Sequence, residues 1–249
     1  HGNFERIPSS KANATNAIYG IDGSPVVKDI YIDDTPNDST DNPRWRTVLI
    51  SGIGAGFARE LAKLGGHLIL VARRTNRLES LQKELQETYS VEVISIIADL
   101  STIEGARNTY KTITKLGKDI SFLINNAAAG LHGKFGDLSY EDQAKYLYLN
   151  VNSLTELTYL FLGDFLAVKR GGILNVSSVI ASHPCPDYAT YAASKAYVLS
   201  FTQALHHEYK SAGIAISTLC PGPTATEFFE KAGEKPGAII RHFMISPEK

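Results

Sequence analysis

From Thr47 onward, short apolar runs alternate with longer stretches of helical periodicity, and this alternation constrains the fold more than any other feature of the chain. The runs at 47–51, 67–71, 91–97, 120–125, 172–177 and 214–219 read as strands. Between them, 55–64, 78–87, 104–115, 141–168 and 188–211 read as helices. Strand and helix repeated in this way argue for a parallel sheet. The strands are nearly all apolar rather than alternating, as expected where helices cover both faces. The expected class is therefore α/β, a doubly wound parallel sheet flanked by helices on both faces, in a single domain over 45–249. In such sheets ligands bind beyond the carboxyl ends of the strands, where several motifs fall.

The first 44 residues read differently, with four Lys/Arg against seven Asp/Glu, a local net of −3. Residues 33–43 are polar, acidic and turn-forming, which marks a linker. Before it, 17–21 and 26–32 flank Asp22-Gly23-Ser24-Pro25 in the pattern of a hairpin. Glycosylation sequons stand at Asn13 and Asn37 and are read as chance matches. At 249 residues there is room for one substantial domain beside this extension.

Net charge is −1, so no whole-chain basic field points to nucleic acid or to an anionic membrane surface. No apolar run approaches the ~20 residues that span a bilayer, and the best, 157–168, is interrupted by Asp164. The two cysteines, Cys185 and Cys220, make no disulfide framework and fit a reducing compartment. No secretory leader is visible, and the expected location is cytoplasmic. No Cys/His spacing suggests zinc; adjacent His206 and His207 point about 100° apart on a helix and read as surface histidines. No metal site is expected.

Tyr191-Ala192-Ala193-Ser194-Lys195 places a phenol and an ammonium four residues apart, on one face of a helix. Tyrosine, with a pKa near 10, is a sluggish acid or base at neutral pH, and a nearby cation lowers that value. The spacing alone is weak, since a partly exposed helix face gives it by chance. The sequence around it is more specific. Asn175-Val176-Ser177-Ser178 closes an apolar strand, and Ser178 stands thirteen residues before Tyr191.

Together these residues resemble the catalytic signature of the short-chain dehydrogenases/reductases. Further segments match that family in order. Asp99-Leu100 closes the third strand, Asn125-Asn126-Ala127-Ala128 follows the fourth, and Asn150 lies within Leu149-Asn150-Val151-Asn152-Ser153. Pro221-Gly222-Pro223-Thr224-Ala225-Thr226 follows the sixth. The resemblance covers roughly 47–230 and implies a Rossmann-like fold. It implies that Tyr191 transfers a proton to or from the substrate oxygen while hydride moves to or from nicotinamide. It gives Lys195 the nicotinamide ribose and the task of depressing the tyrosine pKa. Ser178 would donate to the carbonyl oxygen. Asn150 would hold a water linking the lysine to solvent; its other reading is a polar residue satisfying backbone in a helix bend.

The cofactor contacts implied are Ser51, Gly52, Ile53 and Gly54 at the pyrophosphate, Asp99 and Leu100 at the adenine, and Asn126, Ala127 and Ala128 after the fourth strand. Tyr191, Lys195, Pro221, Gly222, Thr224 and Thr226 would hold the nicotinamide end. Arg73 and Arg74 end the second strand where an NAD site usually carries Asp or Glu. A guanidinium suits a 2′-phosphate, so NADP(H) is expected ahead of NAD(H).

Two departures stand out. The family's first strand runs into Thr-Gly-x-x-x-Gly-x-Gly, whereas here Ser51 runs directly into Gly52-Ile53-Gly54, about four residues short. These are either deleted or omitted from the sequence, and survival of every other motif favours omission. No candidate for the family's seventh strand follows the sixth. The leading expectation is a carbonyl reductase or alcohol dehydrogenase for an apolar small-molecule substrate, with 131–138 and 226–244 shaping its pocket. A catalytically silent binding protein and an epimerase or dehydratase are the alternatives. The expected partner is a second copy, a homodimer through the long helices, with Leu154, Leu157, Leu160, Tyr197, Leu199 and Leu205 available for core or partner packing.

Overall fold

A computed structural model describes the backbone of residues 45–50, together with residues 54–223 and 232–233. Six parallel strands form one sheet in the order β3-β2-β1-β4-β5-β6: β1 Trp45–Ile50, β2 His67–Ala72, β3 Val93–Ile97, β4 Phe122–Asn125, β5 Gly171–Val176 and β6 Ile214–Leu219. The helices are α1 Gly54–Lys63, α2 Thr75–Tyr89, α3 Gly105–Lys115, α4 Tyr140–Leu147, α5 Leu154–Val168 and α6 Ala189–Tyr209. This is the doubly wound arrangement expected, with the strand order reversing between β1 and β4. Registers are continuous where the site forms: Asn125 lies opposite both Ile50 and Asn175, and Val176 lies opposite Leu219.

Alternate residues of the central strands feed two separate cores. Ile69, Val71, Leu123, Ile173 and Ile216 pack with Ala106 and Ile113 of α3 and Leu157, Phe161 and Phe165 of α5. Leu68, Leu70, Ile124, Leu174 and Val176 pack with Phe57 and Leu61 of α1 and Leu78 and Leu85 of α2. A strand with both neighbouring positions apolar is what such a two-sided layer needs. On the helices the same burial appears as a stripe: in α5, Leu154, Leu157, Thr158, Phe161, Leu162 and Phe165 are buried at the helical repeat.

Several boundaries differ from the sequence expectation. The third strand starts at Val93 rather than at 91, and its last residue, Ile97, is exposed at the sheet edge. Asp99 and Leu100 therefore lie beyond the strand, in the turn toward α3. The long helix expected over 141–168 is three segments, α4, a π-helical stretch Tyr148–Ser153 and α5. The inserted π turn holds Asn150, and such insertions bend a helix and often mark functional positions. His206 is half-buried, with Nδ1 3.0 Å from the Ile216 carbonyl, so it is not a plain surface histidine. Among the described residues β6 is an edge strand with no seventh strand beside it. The N-terminal hairpin and linker, Ser51, Gly52, Ile53, Thr224 and Thr226 lie outside the described residues.

Candidate active site

The site forms where β4, β5 and β6 end and α6 begins. Beneath it, a chain of buried amides and hydroxyls ties these elements together. Asn125 Nδ2 donates to Asn175 Oδ1 at 2.9 Å and to Thr158 Oγ1 at 3.0 Å, and Asn175 Nδ2 donates to Thr202 Oγ1 at 3.0 Å. Buried polar groups paired this way fix relative position, because any slip would orphan them. One turn higher, the Ser177 hydroxyl donates to the Lys195 carbonyl at 2.7 Å and its N–H to the Leu219 carbonyl at 2.7 Å. The neighbouring Ser178 is thereby carried to the open end of β5 on extended backbone.

The structure brings Ser178, Tyr191 and Lys195 together. The Tyr191 phenol is hydrogen-bonded to the Ser178 hydroxyl, and Lys195 Nζ lies 5.7 Å from the centre of the tyrosine ring. Lys195 is only 3% exposed, and its Nζ donates to the Val176 carbonyl at 2.8 Å. Burial strips water from this ammonium and pulls its pKa down to about 8. Burial also pushes the Tyr191 phenol well above its ordinary value, with only the Ser178 hydrogen bond pulling the other way. A lowering by Lys195, expected from the sequence, is not among these effects: burial dominates, and the ammonium is itself buried and donates to a carbonyl.

Asn150 makes the backbone contacts of the second of its two readings. Its Oδ1 accepts from the Ala129 N–H at 3.0 Å, and its Nδ2 donates to the Ala129 carbonyl at 2.8 Å and to Ser194 Oγ at 3.0 Å. Both amide protons are occupied, while Oδ1 keeps a second lone pair. Asn150 clips the loop following β4 to the π turn and, through Ser194, to α6.

Beside Tyr191 opens a cleft lined by Ala129, Leu131, Phe135, Leu138, Leu147 and Thr190, among others. Segment 131–138 therefore shapes the pocket as expected. It is held down by two backbone bonds, His132 N–H to the Ala232 carbonyl at 2.9 Å and Gly133 N–H to the Asp187 carbonyl at 2.8 Å. Gly133 sits at φ +144°, where a side chain would be strained and would press on Leu138. Of the second expected segment, 226–244, only Ala232 and Gly233 are described.

Those of the expected cofactor contacts that are described lie along the same sheet edge. Arg73 and Arg74 stand exposed between β2 and α2, and Arg73 Nη1 is 4.0 Å from Asp99 Oδ1. Burial raises the Asp99 pKa, but bonds from the Ser101 hydroxyl and N–H, with the charges of Arg73 and Lys145, bring it below its usual range. Leu100 is buried, and its carbonyl accepts from Ser153 Oγ. Asn126 is buried, with half-buried Ala127 and Ala128 after it. Gly54 opens α1, and Pro221 and Gly222 follow β6, the Pro221 carbonyl accepting from Val179 N–H at 3.1 Å.

Two residues of the site were missed in the sequence. Cys220 lies against Ser177, Ser178 and Lys195, and burial pushes its thiol up. Gln143 lies on the cleft wall seven residues before Asn150, on the same helical face; a polar residue at that inward position was the available signal.

Comparison with known proteins shows the family. Residues 47–237 match the family model described as short chain dehydrogenase, and the chain belongs to that family. It is 33% identical over 189 residues to the inactive hydroxysteroid dehydrogenase-like protein 1 of Homo sapiens, covering 74% of this chain and 56% of the relative. It is 34% identical over 189 residues to the very-long-chain 3-oxoacyl-CoA reductase of Anas platyrhynchos, covering 74% and 60%. The chain thus spans little more than half the length of these relatives. Among solved structures it resembles a short-chain dehydrogenase from Sphingobium yanoikuyae in complex with NADPH, with TM-score 0.75 and 29% identity over 82% of this chain and 79% of that one.

Proposed function

We propose that this chain is an NADP(H)-dependent oxidoreductase that interconverts a carbonyl and an alcohol, with Tyr191 as the proton donor or acceptor. The observation that carries the reading is the hydrogen-bonded Ser178–Tyr191 pair with buried Lys195 behind it, at the floor of an apolar cleft. The residues present fit a nicotinamide dinucleotide at both ends. Arg73 and Arg74 have the chemistry to hold a 2′-phosphate, and buried Lys195 with Pro221 and Gly222 would hold the nicotinamide end. When bound, the cofactor supplies or accepts the hydride.

The chain's own residues do the rest. A substrate carbonyl seated against Tyr191 takes the phenolic proton as negative charge develops on its oxygen, and Ser178 donates a second hydrogen bond to that oxygen. Tyr191 is protonated at neutral pH, and the burial that raises its pKa makes the tyrosinate costly to form. Lys195, charged below about pH 8, stabilises the tyrosinate left behind. Asn125, Asn175 and Ser177 hold the strands and helix in register, and Asn150 holds the cleft's edge.

The cleft favours an apolar chain: Leu131, Leu138 and Leu147 line it, and exposed Phe135 stands at its rim. The name of the very-long-chain 3-oxoacyl-CoA reductase relative supports that class. A silent binding protein is the second reading, favoured by the relative named inactive. Retention of Ser178, Tyr191 and Lys195 in one cluster weighs against it. Net oxidation or reduction of added cofactor would separate the oxidoreductase from the epimerase or dehydratase reading. The test is incubation with NADPH and a long-chain ketone. One alcohol formed per NADPH consumed is expected; NADPH bound without turnover of any ketone supports the silent reading.

A further inference from the structure

We propose that Gln143 is a specificity-determining residue of the cleft, its side-chain amide donating to a second oxygen of the substrate close to the carbonyl that Tyr191 serves. This rests on the reading of the site as a carbonyl-reducing centre.

Gln143 is 5% exposed, and its partners fix which way the amide points. The Phe135 carbonyl, 3.3 Å away, can only accept, so Nε2 faces it. The other end, Oε1, then accepts from the Thr190 hydroxyl at 2.6 Å. Gln143 thereby bridges the short turn Phe135–Asp137 to the residue immediately before Tyr191. An amide carries two N–H donors and an oxygen with two lone pairs. Among the described residues, these bonds use one donor and one lone pair of the Gln143 side chain.

The remaining N–H belongs to a buried group on the cleft wall, where an unpaired donor is unfavourable. The surrounding wall offers little else to a polar substrate group. Ala129, Leu131, Leu138 and Leu147 are apolar, both amide protons of Asn150 are taken, and the Thr190 proton is committed to Gln143, so half-buried Tyr146 is the other donor on this wall besides Tyr191. The ligand class that completes the site has an apolar chain, a reacting carbonyl and a nearby acceptor oxygen, as in a 3-oxoacyl thioester. A site built to bond a substrate oxygen rejects the analogue lacking it more strongly than an apolar pocket separates chain lengths.

The test compares the N-acetylcysteamine thioester of 3-oxododecanoic acid with 2-undecanone, the ketone left when the thioester arm is removed. Each is assayed for kcat/KM with NADPH in the full chain and in Gln143→Leu, Gln143→Met and Thr190→Val. The unsubstituted protein should favour the thioester at least about tenfold. Either Gln143 variant, whichever folds better by circular dichroism, should cut thioester activity at least about tenfold more than 2-undecanone activity. Thr190→Val, which keeps the amide, should retain part of the preference. Equal losses on both compounds would make Gln143 a brace of the wall and overturn the proposal. Preference for 2-undecanone in the unsubstituted protein would overturn it too, while the oxidoreductase reading stood. Failure to turn over either compound would overturn both.

Discussion

The Lys195 ammonium nitrogen sits 5.7 Å from the centre of the Tyr191 ring while donating to the Val176 carbonyl at 2.8 Å. Burial drives the two groups in opposite directions, the phenol up and the ammonium down to about 8. At neutral pH the pair is a protonated phenol beside a cation, the state a proton donor needs.

That lysine makes stability depend on pH in a direction that can be checked. Its folded pKa lies below the unfolded value near 10.5, so between about 8 and 10.5 the unfolded chain binds more protons and stability rises with pH. From pH 7 to 9.5 this one group should add about 2 kcal/mol. Urea melts of the protein and of Lys195→Met across that window should differ by this amount in their pH slopes. Parallel slopes would show that burial does not lower the Lys195 pKa.

The fold and the catalytic group were legible in the sequence for different reasons. The strands were readable because Leu68–Val71 and Ile173–Leu174 fill both faces of the sheet, leaving continuous apolar runs. Tyr191, Ser178 and Lys195 were readable because their spacing is set within one strand-loop-helix unit. The break at Tyr148–Ser153 was not readable, since a π turn changes hydrogen bonding without changing the apolar pattern. Nor was the tyrosine pKa, which depends on burial contributed by several elements. Gln143 was passed over because its partners, Phe135 and Thr190, are distant in sequence.

Arg73 and Arg74 should set cofactor choice. Replacing both with Ala should weaken NADPH binding by roughly 1.5–3 kcal/mol relative to NADH, the loss of a charged hydrogen bond. Calorimetric titration with each cofactor measures it; equal losses on both would remove these residues from the 2′-phosphate.

Asn150→Ala should cost roughly 2–4 kcal/mol of stability, because the Ala129 N–H and carbonyl both lose their partner. Denaturant midpoints measure it, and a change under about 0.5 kcal/mol would mean these groups find water instead.

For assembly we propose a homodimer through α5 and α6. Leu154 and Leu157 are spent in the domain's own core, and Leu205 packs against it. The outward surface is carried by Tyr159, 76% exposed, and by Tyr197, stacked on Phe201 and 2.9 Å from Thr155 Oγ1. Light scattering should give twice 27.1 kDa. A fourfold mass would require a second interface, and a single mass would leave both tyrosines to solvent.

The central claim is that Tyr191 delivers the proton while NADPH delivers the hydride, and one substitution isolates it. In Tyr191→Phe, NADPH oxidation with a long-chain ketone should fall on the order of 10²–10⁴-fold, the usual contribution of a general acid. NADPH affinity, measured by fluorescence on the same sample, should change by less than about twofold, since only the phenolic hydroxyl is lost. Turnover close to that of the unsubstituted protein, with NADPH bound equally well, would contradict the assignment.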